Sequence, residues 1–285
     1  MSIAGRLENL PLGLFHYRLL LICGIGWLFD AMDVGLVAFV LPAVGEDWHL
    51  TAAQMGALGS IGLLGMGLGA VLGGILSDRW GRKRVFSYTL VFYGIATFLA
   101  GLASNYSWLM VLRFLVGLGL GAEVPVAFTL MSEFSPARYR GRMAVLLESF
   151  WAFGWIAAAL IGYLAVPRWG WRLAFFIGAL PALYAAVLRR ALPESPRYLE
   201  KTGQLQAAEA IVTMVEKSGG VTGGRAAPGA AGTSEAASRV TFGDLWSRRY
   251  VRRTLCLWLL WFGINFSYYG IVTWLPSLMV GRGFA

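Results

Sequence analysis

The sequence predicts an all-α membrane protein, a polytopic bundle of transmembrane helices. Its composition is 58% hydrophobic and 14% charged, with a mean hydropathy of +0.64, which excludes an ordinary soluble domain. Seven apolar runs are each long enough to cross a bilayer, which needs about 20 apolar residues. The positive charges gather in the segments between alternate runs, as they do in multi-pass membrane proteins.

Six of the runs lie in residues 1–190, which we predict to form one transmembrane unit, and the seventh lies at 255–280. Residues 191–254 form a polar linker between them. In the linker, 204–217 has the spacing of an amphipathic helix on the membrane surface. Residues 218–238 are mostly Gly, Ala, Ser and Thr, and we expect them to be disordered. The six predicted helices are at about 17–41, 52–76, 86–103, 108–132, 142–166 and 171–188.

The first predicted helix carries two carboxylates, Asp30 and Asp33, inside its apolar run. A charged side chain at that depth costs a few kcal/mol on insertion scales, about 2.5–3.5, so it is rare and faces the protein interior or a watery cavity. Residues three apart share one face of a helix. The two acids must therefore find a partner on another helix or hold a proton.

The next helices each add one feature. The second is dense in glycine, which lets neighbouring helices approach closely in lipid. The fourth carries Arg113 and Glu123, and the fifth carries Glu148. By the rise of a helix, Asp33 and Arg113 lie at similar depths, roughly 12 and 8 Å from the outer ends of their helices. Glu123 and Glu148 lie roughly 14 and 9 Å from the opposite ends.

The lysines and arginines predict the orientation. Of the 24, all but Arg113, Arg168, Arg172 and Arg282 lie in the N-terminal segment, in the loops after the second and fourth helices, or in the segment after the sixth. These segments share one side of the membrane if the helices alternate. The positive-inside rule therefore predicts that the N-terminus and the 190–254 loop lie on the cytoplasmic side. The membrane would be the cell membrane, which for a bacterium is the inner membrane. The rule also explains the net charge of +9 without nucleic acid.

Residues 74–83, read as GILSDRWGRK, lie between the second and third helices. They resemble the G-x-x-x-D-R-x-G-R-K motif of the major facilitator superfamily. The resemblance makes Gly74 a point of close approach and gives Asp78 a cationic partner at a helix C-terminus. It makes the basic residues anchors at lipid headgroups. The motif residues are Gly74, Asp78, Arg79, Gly81, Arg82 and Lys83.

Other segments resemble further motifs of the same superfamily, in the order that it requires. Arg113 with the following glycines resembles its fourth-helix motif. Glu133, Arg140 and Arg142 resemble an element of its sugar-porter-like members, and so does 193–197, PESPR. In such members these cytoplasmic groups form an ion-pair network that holds the outward-open state. The fifth-helix motif of drug antiporters is missing, which favours a symporter or uniporter.

Several blocks resemble the niacin (nicotinate) transporter branch of the superfamily. They are 26–35, 119–127, 146–155, 266–270 and 274–277. Branches for aromatic acids are similar in the first helix. The superfamily has twelve helices in two six-helix halves, so we expect this chain to be a fragment or the product of a truncated gene. A site shared between halves would then need the missing half or a second copy, and we expect the second-half partner that Asp78 has in the family to be absent.

The residues and the resemblance together predict a proton-coupled carrier of a small anionic substrate. Asp33 would pair with Arg113 when ionised and release it on protonation, with Asp30, Glu123 and Glu148 as further acids. Nicotinate is a planar carboxylate, so a cation and an aromatic face would suit it. The candidate stacking residues are Trp27, Phe150, Trp151 and Trp155. Any one of these acids or rings could instead serve only helix packing.

Other classes of function are weighed against this one. The sequence has no paired histidines at metal spacing, no nucleophile with a histidine and no phosphate loop, so we expect no enzyme, metal or cofactor. The two aspartates of the first helix do not imitate an intramembrane protease, whose acids come from different helices. An aromatic-acid or sugar symporter, a non-transporting receptor and an inactive fragment stay open.

Overall fold

The computed structural model describes residues 3–8, 10–218, 246–248 and 250–282, and it places no strand among them. The all-α prediction is confirmed. The chain divides into two compact units, 1–226 and 227–285. The predicted disordered stretch, 218–238, lies outside the described residues except for Ser218, which ends a helix.

Unit one contains eleven α-helices within its described residues, and unit two contains one. Seven spans are long and apolar enough to cross a membrane, formed by α2, α3, α4, α5, α6 with α7, α8 with α9, and α12. The helices are α1 (Ile3–Glu8), α2 (Leu14–Asp47), α3 (Ala52–Trp80), α4 (Arg82–Gly101), α5 (Tyr106–Phe134), α6 (Arg140–Leu164), α7 (Val166–Trp169), α8 (Trp171–Gly178), α9 (Pro181–Ala191), α10 (Pro196–Lys201), α11 (Leu205–Ser218) and α12 (Val251–Gly281).

The observed helices extend past the predicted apolar runs because polar residues at the membrane edge stay helical. α2 runs on to Asp47, for example, and α4 already begins at Arg82. The sixth predicted helix is instead broken into α8 and α9. Pro181 is the first residue of α9, where its missing N–H costs nothing, whereas a proline within a continuous helix would remove a hydrogen bond.

α3 and α5 lie side by side in parallel with their backbones in contact. A Cβ added at Gly65, Gly69 or Gly73 of α3 would strike the carbonyl oxygens of Phe114, Leu118 and Ala122, respectively. Gly117 and Gly121 of α5 meet Gly62 and Met66 in the same way. Small residues replace hydrophobic driving force as the means of helix association in lipid. The close approach predicted from the glycine-dense helix is confirmed at these positions.

α2 is held against α6 and α8. Gly154 of α6 fits against the backbone of α2 at Leu28, and Gly35 of α2 lies against Ala158. α4 packs against α5, α8 and α9, with Gly94 of α4 against Ala182 of α9. The polar side chains of α2, α4 and α5 are thereby buried together inside the unit.

α1, α10 and α11 form a small assembly at the end of the bundle where α2 begins and α5 ends. Arg6 of α1 donates from Nε and Nη2 to the two carboxylate oxygens of Glu216 of α11, at 2.9 and 2.7 Å. These hydrogen bonds raise the pKa of the Arg6 guanidinium above its ordinary value. Glu8 lies 3.6 Å from Arg140 and 3.3 Å from Arg197. The assembly therefore ties the N-terminus to the linker. We call this end of the unit the basic end.

The amphipathic helix predicted in the linker is present as α11, but the predicted contact of its apolar face with the membrane surface is wrong. Ala208, Val212 and Val215 are buried among protein side chains of unit one. Leu205, the first residue of α11, is 54% exposed. The apolar face of α11 is buried against α1, α2 and α10.

His16, which the sequence gave no reason to single out, is buried near the start of α2. Its Nδ1 accepts from the Gly13 N–H at 3.1 Å, and its Nε2 lies 3.1 Å from the carbonyl of Phe134, which fits a ring that carries its proton on Nε2. The ring satisfies one backbone group at each of two helix ends and joins α2 to α5.

Candidate functional site

An ion pair between Asp33 of α2 and Arg113 of α5 lies at the centre of the buried polar groups. Arg113 Nη2 is 2.6 Å from Asp33 Oδ2, and the side chains of Arg113 and Asp33 are 4% and 0% exposed. The second oxygen, Oδ1, accepts from the hydroxyl of Thr97 of α4 at 2.9 Å. The structure thus brings together the two residues whose depths the sequence matched, and it adds a third helix to the pair.

The guanidinium of Arg113 has one hydrogen-bond donor that the described residues do not use. Its Nη1 is buried and makes no hydrogen bond with the described residues. The group lies 5.3 Å from the centre of the Phe175 ring of α8, within range of a cation–π contact. A buried donor without a partner costs about 1–3 kcal/mol, so this nitrogen is suited to a carboxylate that arrives from outside the protein.

A second group of buried acids lies farther along the same two helices, with Asp30 one turn from Asp33. Asp30 of α2 and Glu123 of α5 are 1% and 0% exposed, and Tyr93 of α4 is also buried. The three interact electrostatically. Their side-chain oxygens make no hydrogen bond with the described residues. Buried polar atoms are nearly always paired, so these oxygens are unusual.

The predicted stacking residues divide into two kinds. Trp27 of α2 and Trp151 of α6 have ring centres 5.0 Å apart and ring planes inclined by 42°, and Phe128 of α5 meets Trp27 edge-on at 5.4 Å. Phe150 covers Gly24, and Trp155 covers Gly35, so these two rings fill the glycine notches between α2 and α6. Helix packing accounts for Phe150 and Trp155, whereas Trp27 and Trp151 form a tilted aromatic pair, which we call the Trp27–Trp151 wall.

Glu148 is not part of the buried acid group. It lies on an exposed stretch of α6, beside Trp27. The depth of a residue along a helix does not tell which face of the helix it occupies. Of the four acids and one arginine predicted for the site, three acids and the arginine are buried, and Glu148 is exposed.

The loop motif forms a network at the basic end. Arg82 Nη2 lies 2.8 Å from Asp78 and 3.6 Å from Glu133 of α5, and Arg82 Nη1 donates to the carbonyl of Ser77 at 3.2 Å. Glu133 in turn accepts a hydrogen bond from the hydroxyl of Ser195. Asp78 therefore has a cationic partner within its own loop, one turn along the chain.

The same network reaches the linker. Glu194 accepts from the backbone N–H groups of Lys83 and Ser195, at 3.1 and 3.0 Å. The hydroxyl of Tyr198 donates to the carbonyl of Arg79 at 3.0 Å. Gly81 has φ +95°, which L side chains rarely adopt, and an added Cβ would lie 2.5 Å from Glu194. Both the positive φ and the nearby Glu194 carboxylate favour glycine at this position.

Three motif residues differ from their expected roles within the described residues. Gly74 has no atom within 4 Å of an added Cβ, so the close approach expected there occurs at Gly73. Arg140 donates to the carbonyl of Ser132 at 3.0 Å and pairs with Glu8 of α1. Arg142 is exposed and makes no ion pair with the described part of the chain. The register of a motif does not reveal which of two adjacent glycines faces the neighbour.

Thr97 and Tyr93 are site residues that the sequence reasoning missed. They stand four residues apart on one face of α4, as Asp30 and Asp33 stand three apart on α2. Polar side chains at helical spacing within an apolar run were the signal. Because hydroxyl groups are common in membrane helices, this spacing alone does not distinguish site residues from other polar residues.

The chain matches the Major Facilitator Superfamily family over residues 23–285. It is 50% identical over 287 residues to the niacin transporter NiaP of Acinetobacter baylyi, covering 100% of this chain and 64% of that protein. It is 41% identical over 268 residues to a putative niacin/nicotinamide transporter NiaP of Bacillus subtilis, covering 94% and 60%. The chain thus spans somewhat less than two thirds of these relatives.

A solved structure of a bacterial homologue of the human lysosomal transporter Spinster, inward-facing and unoccupied, is similar with a TM-score of 0.72 and 21% identity. The match covers 96% of this chain and 58% of that one, and it bears on the fold alone. The family match extends over most of the sequence, in agreement with the helix bundle and the loop motif. The chain belongs to the major facilitator superfamily.

Proposed function

We propose that this chain acts in secondary active transport, as a proton-coupled carrier that takes up niacin (nicotinate) or a similar small aromatic carboxylate. The observation that carries the proposal is the buried pair of Asp33 and Arg113 with its unused guanidinium donor. The 50% identity to a niacin transporter supports the choice of substrate. We further propose no catalytic activity, a bacterial inner membrane, and a cytoplasmic basic end.

Charge balance gives the pair a mechanism. With Asp33 ionised, the pair is neutral and Arg113 is held by its carboxylate. A proton on Asp33 leaves one positive charge in the low-dielectric interior, which is costly until an anion arrives. The substrate carboxylate then takes the place of Asp33 on the guanidinium. Proton and anion enter together, so each favours the binding of the other, and loss of the proton expels the substrate.

The remaining buried groups have supporting roles in this proposal. Asp30 and Glu123 would accept the proton after Asp33, with the Tyr93 hydroxyl between helices α2 and α5 as the link. The Trp27–Trp151 wall would hold the pyridine ring by stacking, which is worth about 0.5–1.5 kcal/mol beyond the buried area. Glu148, beside Trp27, would act where the site opens.

The network at the basic end would control access to the site. Arg82 holds Asp78 and Glu133 together, and Glu194 joins the linker to the start of α4. Breaking these contacts would free α3, α4 and α5 to move relative to the linker. We propose that the network closes the cytoplasmic side and opens as transport proceeds.

The test is uptake of labelled nicotinate by proteoliposomes that contain the chain, with and without an inward proton gradient. We expect uptake that the gradient stimulates, and loss of the stimulation in Asp33→Asn. Glu46→Gln is the matched control, because Glu46 lies on the same helix, is exposed, and its side chain makes no hydrogen bond or ion pair with the described residues. Gradient-dependent uptake that survives Asp33→Asn would refute the coupling.

Competition separates the candidate substrates. Nicotinamide keeps the ring but lacks the carboxylate, so it loses a charge-assisted hydrogen bond to Arg113 worth about 1.5–3 kcal/mol, or roughly 10- to 100-fold in affinity. Benzoate has both a carboxylate and an aromatic ring, and xylose has neither. Inhibition in the order nicotinate, benzoate, nicotinamide supports the proposal. Inhibition by xylose alone would indicate a sugar symporter, and binding without uptake would indicate a receptor.

A further inference from the structure

Two adjoining pockets open at the basic end of unit one, and their chemistry is not used by the proposed transport site. The first, of about 340 Å³, is lined by Lys83, Arg84 and Arg189. The second, of about 280 Å³, shares Lys83 and adds Arg18 and Arg190. Together they reach the size of small-molecule sites, about 300–1,000 Å³. We call the two pockets the basic groove.

The basic groove carries an excess of positive charge that the protein does not balance. Its five cations make no ion pair with the residues that the structure describes. Glu194 is the carboxylate in the first pocket, and one of its oxygens is already engaged by two backbone N–H groups. The second pocket has no carboxylate in its described lining. Like charges held this close repel each other until an anion neutralises them.

Local helix geometry increases the positive potential. Arg82, Lys83 and Arg84 form the first turn of α4, which has no acidic residue there to offset the partial positive charge of a helix N-terminus. Arg189 and Arg190 are in the last turn of α9, where the partial negative charge of the helix C-terminus favours cations. The groove therefore joins a helix start and a helix end, each lined with cations.

An exposed apolar stripe leads away from the groove along α4. Tyr88, Phe92, Ile95 and Leu99 are 53%, 40%, 52% and 37% exposed, and with Arg84 they follow the spacing of one helix face. From Tyr88 to Leu99 the stripe is roughly 16 Å long, since each residue rises about 1.5 Å. Half of the hydrocarbon core of a bilayer is about 15 Å thick. On α9, Val187 and Leu183 are likewise exposed beyond Arg190.

We infer that the basic groove is a binding site for the phosphate headgroup of an anionic phospholipid, whose acyl chain lies along the stripe of α4. A soluble phosphate would need the cations but would have no use for an apolar face of leaflet length beside them. Basic pockets between membrane helices bind anionic headgroups in other proteins by the same charge pairing. The inference is independent of whether the chain transports nicotinate.

The test is native mass spectrometry of the purified chain in detergent micelles, titrated with dioleoylphosphatidylglycerol or dioleoylphosphatidylcholine. We expect the first phosphatidylglycerol to bind at least tenfold more tightly than phosphatidylcholine. In the variant Lys83→Gln/Arg84→Gln/Arg189→Gln the preference falls below twofold. The control Arg138→Gln/Arg142→Gln/Lys201→Gln removes the same charge from the basic end outside the groove, and it keeps at least a fivefold preference.

Two further measurements decide the remaining cases. Glycerophosphoglycerol and inorganic phosphate carry the charge without acyl chains, so either one displacing phosphatidylglycerol at equal concentration would overturn the lipid assignment in favour of a soluble phosphate. Equal binding of the two lipids by the unaltered chain would also overturn it. If circular dichroism shows that the triple variant has lost helix, the exposed single variant Arg84→Gln is compared with Arg142→Gln. A drop of threefold or more in the first alone supports the site, and equal drops refute it.

Discussion

Neutralising the buried ion pair tests the central interaction of the site. The perturbation is a cycle of Asp33→Asn, Arg113→Gln and the double variant. Arg113 Nη2 lies 2.6 Å from Asp33 Oδ2, with both side chains at most 4% exposed. Taking the charge centres at about 4 Å and an effective dielectric constant of about 20, Coulomb attraction is worth about 4 kcal/mol. Each single variant leaves a buried unpaired charge, and its cost is about 3–5 kcal/mol.

The double variant removes both charges, so we expect it to lose little more free energy of unfolding than either single variant. The coupling energy is then about 2–4 kcal/mol. It is measured from SDS-driven unfolding of the purified chain in mixed micelles, followed by circular dichroism. The chain supplies its own control in Asp47 and Arg172, an ion pair of 3.5 Å whose side chains are 48% and 45% exposed.

For the exposed pair, Asp47→Asn and Arg172→Gln should couple by at most about 1 kcal/mol, because solvent screens both charges. The two pairs share the same chemistry and differ in burial. A coupling at Asp33 and Arg113 no larger than that at Asp47 and Arg172 would show that the buried pair is not held by charge. The proposed exchange of Asp33 for a substrate carboxylate would then lose its energetic basis.

Three further changes have definite expected results. Thr97→Val removes the hydroxyl that donates to Asp33 and should lower the free energy of unfolding by about 1.5–3 kcal/mol, whereas Thr97→Ser should retain most of it; equal losses would contradict this. Gly69→Ala should destabilise by about 1–3 kcal/mol through overpacking against the carbonyl of Leu118, while Gly67→Ala, which meets open space among the described residues, should be neutral or slightly stabilising in the same SDS titration. Arg6→Glu should speed proteolysis of α11, and adding Glu216→Arg should restore protection by re-forming the ion pair in reverse; no rescue would mean that α1 is held by apolar contacts alone.

The long apolar runs and the charged loops were sufficient to predict the helical fold. Hydrophobic length specifies a membrane helix because lipid leaves the backbone no other way to satisfy its hydrogen bonds. The ends were predicted less well, since a polar residue such as Asp47 marks where the apolar run ends but stays helical. The break in the helix before Pro181 could not be located from hydropathy, because the residues around it are uniformly apolar.

The candidate site was predictable where charge is scarce. Asp33 and Arg113 could be matched by depth, because few other charges in the membrane compete for them. Glu148 shows the limit of that reasoning: depth is linear in sequence, but the direction of a side chain depends on which helix packs beside it. The rings of Phe150 and Trp155 could not be told from stacking residues, because the glycines that they cover lie on another helix.

The backbone contact between α3 and α5 has a mechanical consequence. Glycines at 65, 69 and 73 receive the carbonyls of residues 114, 118 and 122, and glycines at 117 and 121 receive those of residues 62 and 66. The fit repeats every four residues, so a smaller slip would drive carbonyl oxygens into side chains. The next register that fits lies roughly 6 Å away along the helix. The two helices therefore cannot slide gradually, and a rearrangement smaller than that step must carry Arg113 with α3 as one rigid body.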